Sequence, residues 1–211
     1  TLNTQEKIGQ LFMLSASAYA SADERKQLAA VVKTFHPGGL LITQGGPRSH
    51  ANLINKLQGE SKVPLLVGIH AGWGLGQTLD SVMSFQKPLL MGSIKNNELV
   101  YNLGKEIANE MDVVGAHINF APNAALGIES QVYPNTLAYY SDNAKRSGEK
   151  AFSFTSGLQE NGALVCAVHL AQPEKTTFPD TQDSTLYLNI QKIDSIGLSV
   201  FHMLADKGID G

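Results

Sequence analysis

The chain reads as an α/β protein with a parallel sheet, and three observations carry that expectation. Its apolar runs are short and nearly continuous, as in strands buried on both faces. Each run is followed by a stretch whose apolar residues recur at helical spacing. No antiparallel hairpin signal interrupts the alternation, which is the pattern of strand–helix units.

The elements follow in order. Gln10–Ser15 reads as a first strand, with a helical start from Asn3 as the competing reading. Ser21 is placed to cap a helix, with Glu24 completing a capping box and Leu28, Val31, Val32 and Phe35 as its apolar stripe. Gly38-Gly39 breaks to a second strand, Leu40–Thr43. Gly45-Gly46-Pro47 opens a helix that buries Leu53, Ile54 and Leu57. Pro64 leads into a third strand, Leu65–Ile69, and a long loop over 71–95, of a length that usually marks function. The next helix starts near Glu98, buries Leu99, Leu103, Ile107 and Met111, and stops at Gly115. His117–Phe120 is a fourth strand. Ser141 then caps a helix closed by Gly162, and Leu164–Val168 is a fifth strand. A polar loop, 170–188, precedes a last helix carrying Ile190, Ile193, Gly197, Val200, Phe201 and Leu204 and ending at Gly208. Two closures fit these five units: an open doubly wound sheet, or a (β/α)8 barrel cut short after the fifth unit.

Composition narrows the function. At 211 residues with no internal linker, the chain is expected to be a single domain, residues 1–211, or part of a larger one. A net charge of −3 without a basic patch argues against nucleic acid as a partner. No run of eighteen apolar residues is present, so no transmembrane segment is expected. The lone cysteine, Cys166, sits in an apolar run and reads as a small buried hydrophobe. A chain that opens on Thr1 is expected to have lost a segment upstream.

The stretch Lys62-Val-Pro-Leu-Leu-Val-Gly-Ile-His70-Ala-Gly-Trp73-Gly-Leu-Gly76 is the most informative. A buried strand ends abruptly in His70 and a glycine-rich loop, which is how parallel strands deliver side chains to their C-terminal end. The loop lacks the Gly-x-Gly-x-x-Gly spacing of a nucleotide site, and no Walker, Cys-x-x-Cys or His-Glu-x-x-His motif occurs.

Several segments resemble, in order, the N-terminal barrel domain of glycoside hydrolase family 3, especially its bacterial β-N-acetylglucosaminidase branch. They are Glu6-Lys-Ile-Gly-Gln-Leu-Phe-Met13, Gly38-Gly-Leu-Leu-Ile42, Val63-Pro-Leu-Leu66, Trp73-Gly-Leu-Gly76, Asn119-Phe-Ala-Pro122 and Gly162-Ala-Leu-Val-Cys-Ala-Val-His169. The resemblance implies a TIM-type (β/α) barrel, here incomplete with about five parallel units. It also implies a glycan or small-sugar ligand, no cofactor, and export to a periplasm or outer membrane. Against the family pattern, the sugar-gripping Asp at the strand end is His70, and an acidic residue two positions on is Gly72. A further Asp falls at Ala125, an Arg near Thr136, and the Lys of a Lys-His pair at Val168, while its His persists as His169. The segment leading to the acid/base His reads Ala171-Gln-Pro-Glu-Lys-Thr176, and the nucleophile strand is expected beyond Gly211. Retaining hydrolysis needs a nucleophile and a proton donor about 5–5.5 Å apart.

The expected reading is therefore a β-N-acetylglucosaminidase-type or β-glucosidase-type domain with impaired catalysis. The alternative is a non-catalytic carbohydrate-binding or scaffold module of a larger protein. Substrate-binding candidates are His169, His70, Trp73 and Asn119. Trp73 would stack on a sugar ring or anchor the loop; Asn119 would face the barrel mouth or serve as a structural hydrogen bonder. A zinc site at His70 and His169 would need a third ligand; His117, on the opposite rim, is a poor one, so no metal is expected. Asp80, Glu129, Glu174, Asp180 and Asp183 are carboxylates on the functional rim. An incomplete barrel exposes two strand edges, so self-association through them, a rearranged open sheet, or a covering C-terminal domain is expected.

Overall fold

The computed structural model describes residues 2–126, 137–169 and 198–211, with the backbone of 174–175 and 186–187. Five strands form one sheet in the order β1-β2-β3-β4-β5: β1 (Met13–Ser17), β2 (Gly39–Gln44), β3 (Leu66–Ile69), β4 (Ile118–Asn119) and β5 (Leu164–Val165). The registers of the first four are parallel, for example Ile42 opposite Ile69 and Ile69 opposite Asn119. This strictly sequential order decides between the two closures. A doubly wound sheet reverses its strand order at a switch point. A singly wound barrel adds each strand beside the last, as here. The sheet is open, with β1 paired to one neighbouring strand among the described residues.

The chain divides into two compact units. The first (Thr1–Phe85, Ile107–Phe120, Asn161–Leu164) holds β1 to β4 and the start of β5. One sheet face is fully buried through Leu40, Ile42, Val67 and Ile69, while Leu66 on the other is 44% exposed. Helix α1 (Thr4–Gly9) is capped by a reciprocal Asn3–Glu6 box. The competing helical reading from Asn3 thus holds, and the strand read over Gln10–Ser15 begins only at Met13, because Gln10 closes the helix. The Ser21–Glu24 box caps α2 (Ala22–Phe35) as expected, but of its stripe only Val32 is buried and Phe35 is 61% exposed. Helix α3 (Pro47–Glu60) buries Leu53, Ile54 and Leu57 and also His50. The imidazole of His50 donates from Nε2 to the Val114 carbonyl at 3.0 Å, leaves Nδ1 buried and unpartnered, and is pushed down in pKa by burial.

The second unit (Gln86–Glu106, Ala121–Glu160, Val165–Gly211) contains α4 (Pro88–Ser93), the first part of α5 (Asn97–Val114), α6 (Ala144–Gln159) and α7 (Ser199–Asp206). The stripe of α5 is Val100, Gly104, Ile107, Ala108 and Met111, whereas Leu99 is 56% exposed. The reason is close helix packing. A Cβ on Gly104 would sit 2.2 Å from the Phe154 carbonyl oxygen, and one on Gly157 2.1 Å from that of Tyr101. Helix α6 is capped by Asn143, not Ser141, because the Ser141 hydroxyl accepts from the Asn143 N–H and so makes a turn before the helix begins. Past β5, the chain end at 209–211 runs beside the strand: Ala167 N–H donates to the Gly211 carbonyl and Val165 N–H to the Asp210 carboxylate, both 2.9 Å. An antiparallel pair, β6 (Glu174–Lys175) and β7 (Leu186–Tyr187), lies in the stretch read from sequence as a plain loop. The start of the expected last helix, 190–197, lies outside the described residues.

Candidate functional site

In the first unit a polar cluster forms where β3 and β4 end. Gly68 is required there: a Cβ would lie 2.5 Å from the Phe120 ring. Phe120 therefore lies across the strand, with its ring centroid 5.7 Å from that of His70 and tilted by 48°. The half-buried His70 ring places Nδ1 3.1 Å from the Phe120 carbonyl oxygen. A carbonyl only accepts, so Nδ1 carries the proton. In the neutral ring Nε2 is then a lone-pair acceptor. The backbone carbonyl of His70 accepts from the Thr78 hydroxyl at 2.7 Å, which ties the ring's own residue to the loop that follows.

Asn119 is wholly buried at the end of β4. Its Oδ1 accepts from the Ala71 N–H at 3.0 Å and its Nδ2 donates to the Ala71 carbonyl at 3.2 Å. One amide thus satisfies both backbone groups of a residue that is itself buried, at the point where the strand turns into loop.

The glycines of the loop have a packing explanation. Gly74 is left-handed at φ +95°, and a Cβ there would lie 2.9 Å from the Phe85 ring. A Cβ on Gly76 would lie 2.2 Å from Ser84 Oγ and 3.0 Å from the Met83 carbonyl oxygen. Residues 82–85 return over the loop, and Phe85 N–H donates to the Trp73 carbonyl at 2.9 Å. Trp73 is half-buried, next to Gly72, whose N–H donates to Gln77 Oε1 at 2.6 Å. The loop ends where Asp80 N–H meets the Gly45 carbonyl at 2.8 Å and the Asp80 carboxylate accepts the Tyr19 hydroxyl. Sequence reasoning did not single out Tyr19, Thr78 or Gln77, since each is an ordinary polar residue until the fold places it.

His169 belongs to the second unit, where Val168 bridges Asn123 and its N–H donates to the Pro122 carbonyl at 3.0 Å. It is exposed and left-handed, with φ 66°. That backbone region is uncommon for any residue with a Cβ, though histidine is enriched there. Ala125, at one of the family's acidic positions, is buried. Cys166 is half-buried and burial raises its pKa, which keeps it a thiol. Nδ1 of His117 accepts from Val67 N–H at 3.0 Å and so belongs to the sheet. Among the described residues no three His, Cys, Asp or Glu side chains converge as metal ligands. No described helix is long and apolar enough to cross a membrane. Glu129, Thr136, Asp180 and Asp183 lie outside the described residues, and Glu174 is placed by its backbone in β6.

Residues 3–211 match the family described as the glycosyl hydrolase family 3 N terminal domain, and the chain belongs to it. No curated protein matches the sequence. Among solved structures it is similar to the beta-glucoside phosphorylase BglX bound to 2FGlc, with a TM-score of 0.80 and 18% identity over 99% of this chain and 37% of that one. It is similar to a family 3 beta-N-acetylglucosaminidase from Paenibacillus sp. str. FPU-7, at 0.75 and 23% identity over 100% of this chain and 41% of that one. It is also similar to a beta-N-acetylhexosaminidase from Beutenbergia cavernae, at 0.78 and 18% identity over 99% and 66%. The chain thus spans about two-fifths of the length of the first two. At these identities the likeness shows the fold: an α/β, barrel-type parallel sheet built from successive strand–helix units.

Proposed function

We propose that this family 3 domain recognises a sugar of the N-acetylglucosamine or glucose type, that its own hydrolytic capacity is impaired, and that residues 1–211 act as one domain. The observation that carries the reading is the end of β3, where His70 offers a single neutral acceptor, Nε2, beside the Phe120 ring. A carboxylate at a strand end accepts from two sugar hydroxyls with charge assistance. This imidazole, with Nδ1 committed to Phe120, accepts from one. The difference is one charge-assisted bond, about 1.5–3 kcal/mol, or roughly ten- to a hundredfold in affinity. Trp73 is the further candidate contact beside His70, Asn119 acts through Ala71 by holding the loop, and His169 is a separate candidate contact in the second unit.

The impairment rests on the carboxylates. The loop leaving β3 carries one, Asp80, and it is occupied by Tyr19. Retaining hydrolysis asks for a nucleophile and a proton donor facing one bond. The same observation favours the second reading, a non-catalytic carbohydrate-binding or scaffold module.

The test pairs binding with turnover. N-acetylglucosamine is expected to perturb Trp73 fluorescence and the His70 ring signals with millimolar affinity, about −4 kcal/mol, and His70→Asp is expected to tighten it by roughly tenfold. An aryl β-N-acetylglucosaminide and an aryl β-glucoside are expected to hydrolyse at the buffer rate. Turnover abolished by His169→Ala would refute the impairment. A His70 signal indifferent to saturating sugar would refute the recognition site.

A further inference from the structure

Two exposed side chains meet at the far end of the β3 loop. The Tyr19 hydroxyl, just beyond β1, donates to the Asp80 carboxylate. Both lie over the turn between β2 and α3, where Gly46 makes room: a Cβ there would be 2.9 Å from Asp80 Oδ1 and 3.4 Å from the Tyr19 oxygen. The backbone of the same segment is fixed to β2 through Asp80 N–H and the Gly45 carbonyl, with Leu79 bridged to Gly45 and buried. Two residues upstream, Thr78 donates its hydroxyl to the His70 carbonyl. The path from the Tyr19–Asp80 contact to the His70 ring is therefore short and hydrogen-bonded at each end.

We propose that Tyr19 and Asp80 are positioning residues for His70: their contact clamps residues 78–80 onto the end of β2, and Thr78 transmits that clamp to the His70 backbone, so that the ring keeps Nδ1 on Phe120 and Nε2 outward as an acceptor. Neither residue touches a sugar in this scheme. They set which nitrogen His70 presents.

The histidine tautomers make this testable in the free protein, at a pH near 8 where imidazoles are neutral. The geometry requires Nδ1–H at His70, where a carbonyl accepts, and Nε2–H at His117 and His50, the first because Nδ1 accepts from Val67 N–H and the second because Nε2 donates to Val114. Ring 15N shifts distinguish the two forms residue by residue. Tyr19→Phe and Asp80→Ala are expected to move His70 from the Nδ1–H form toward a mixture. Thr78→Val, which removes the last link, is expected to move it further. Asp80→Asn keeps an acceptor for Tyr19 and is expected to stay near the parent. His117 and His50 are expected to hold their forms throughout. N-acetylglucosamine affinity is expected to fall about threefold to tenfold in Tyr19→Phe and Asp80→Ala; this consequence rests on the sugar reading above.

Unchanged His70 ring signals in Tyr19→Phe and Asp80→Ala would overturn the proposal. So would parallel changes at His117 and His50, which mark a general loosening of the fold. A protein that ignores the sugar in every variant overturns the sugar reading instead, and the ring signals alone then decide on the clamp.

Discussion

Replacing Asn119 by Ala isolates the strongest local constraint on the site. The substitution removes two hydrogen bonds of 3.0 and 3.2 Å; it leaves the N–H of Ala71 buried without its partner, while the carbonyl keeps the longer bond from Gly74 N–H at 3.5 Å. The orphaned N–H costs about 1–3 kcal/mol and the lost bond to the carbonyl about 0.5–1.5 kcal/mol, so the substitution predicts a loss of about 1.5–4.5 kcal/mol. That is a large part of the 5–15 kcal/mol typical of a folded domain. Urea unfolding measures it, and the chain has one tryptophan, Trp73, two residues from Ala71, so fluorescence reports on this loop directly. Asn119→Asp sharpens the test. The introduced acid still accepts from Ala71 N–H but faces the Ala71 carbonyl, to which only its protonated form donates. Its folded pKa is therefore raised above the unfolded value of about 3.9. Above that value the unfolded state releases its proton first, so the variant loses stability as pH rises toward the folded pKa, and recovers it in acid. A loss under about 1 kcal/mol in Asn119→Ala, or a pH-independent deficit in Asn119→Asp, would refute the reasoning.

Three further outcomes follow from the geometry. Gly76→Ala places a Cβ against Ser84 Oγ and the Met83 and Val82 carbonyls; it should cost about 1–3 kcal/mol and speed amide exchange across 82–85. Gly104→Ala forces α5 from the Phe154 carbonyl and should cost at least as much by thermal unfolding, whereas Leu99→Gln, at an exposed position, should stay within about 0.5 kcal/mol. His50 is held neutral by burial, with its pKa below the ordinary 6.5. The unfolded state then takes up the proton first, so its contribution is intact above about 6.5 and is lost as pH falls toward the folded pKa. His50→Leu should flatten that part of the stability–pH curve.

What the sequence showed and what it hid divide along physical lines. Local rules were legible: the Ser21–Glu24 box depends on residues three apart and formed as read, and so did the α3 stripe. Readings failed where a tertiary approach decides. Leu103 looked like a core residue of α5, but the buried position is its neighbour Gly104, because α6 needs the space a side chain would take. Hydrophobic periodicity has no term for a glycine that is buried by being small. The loop glycines, read as one segment of the family resemblance, hid their local cause in a similar way: Gly74 and Gly76 make room for the return of residues 82–85. His50 carried no signal at all, since a buried histidine and a surface one look alike at helical spacing.

The residues that build the β3 end differ from those at which the family resemblance expects acidic groups. Gly68, Gly74 and Gly76 permit close approaches, Asn119 satisfies Ala71, Thr78 holds the His70 carbonyl, and Asp80 fixes the loop to β2. None of these bonds passes through the side chain at position 70, and position 72, a glycine, contributes only its N–H. An acidic side chain at either position can therefore be exchanged without removing a bond that shapes the loop. Conversely, a loop so fully bonded to itself spends its polar groups on structure, and Nε2 of His70 is the acceptor left facing outward in the scheme proposed above. Architecture and chemistry are thus separable at this strand end, and for that reason His70→Asp is expected to change affinity while costing the domain no more than its bond to the Phe120 carbonyl, about 0.5–1.5 kcal/mol by urea unfolding.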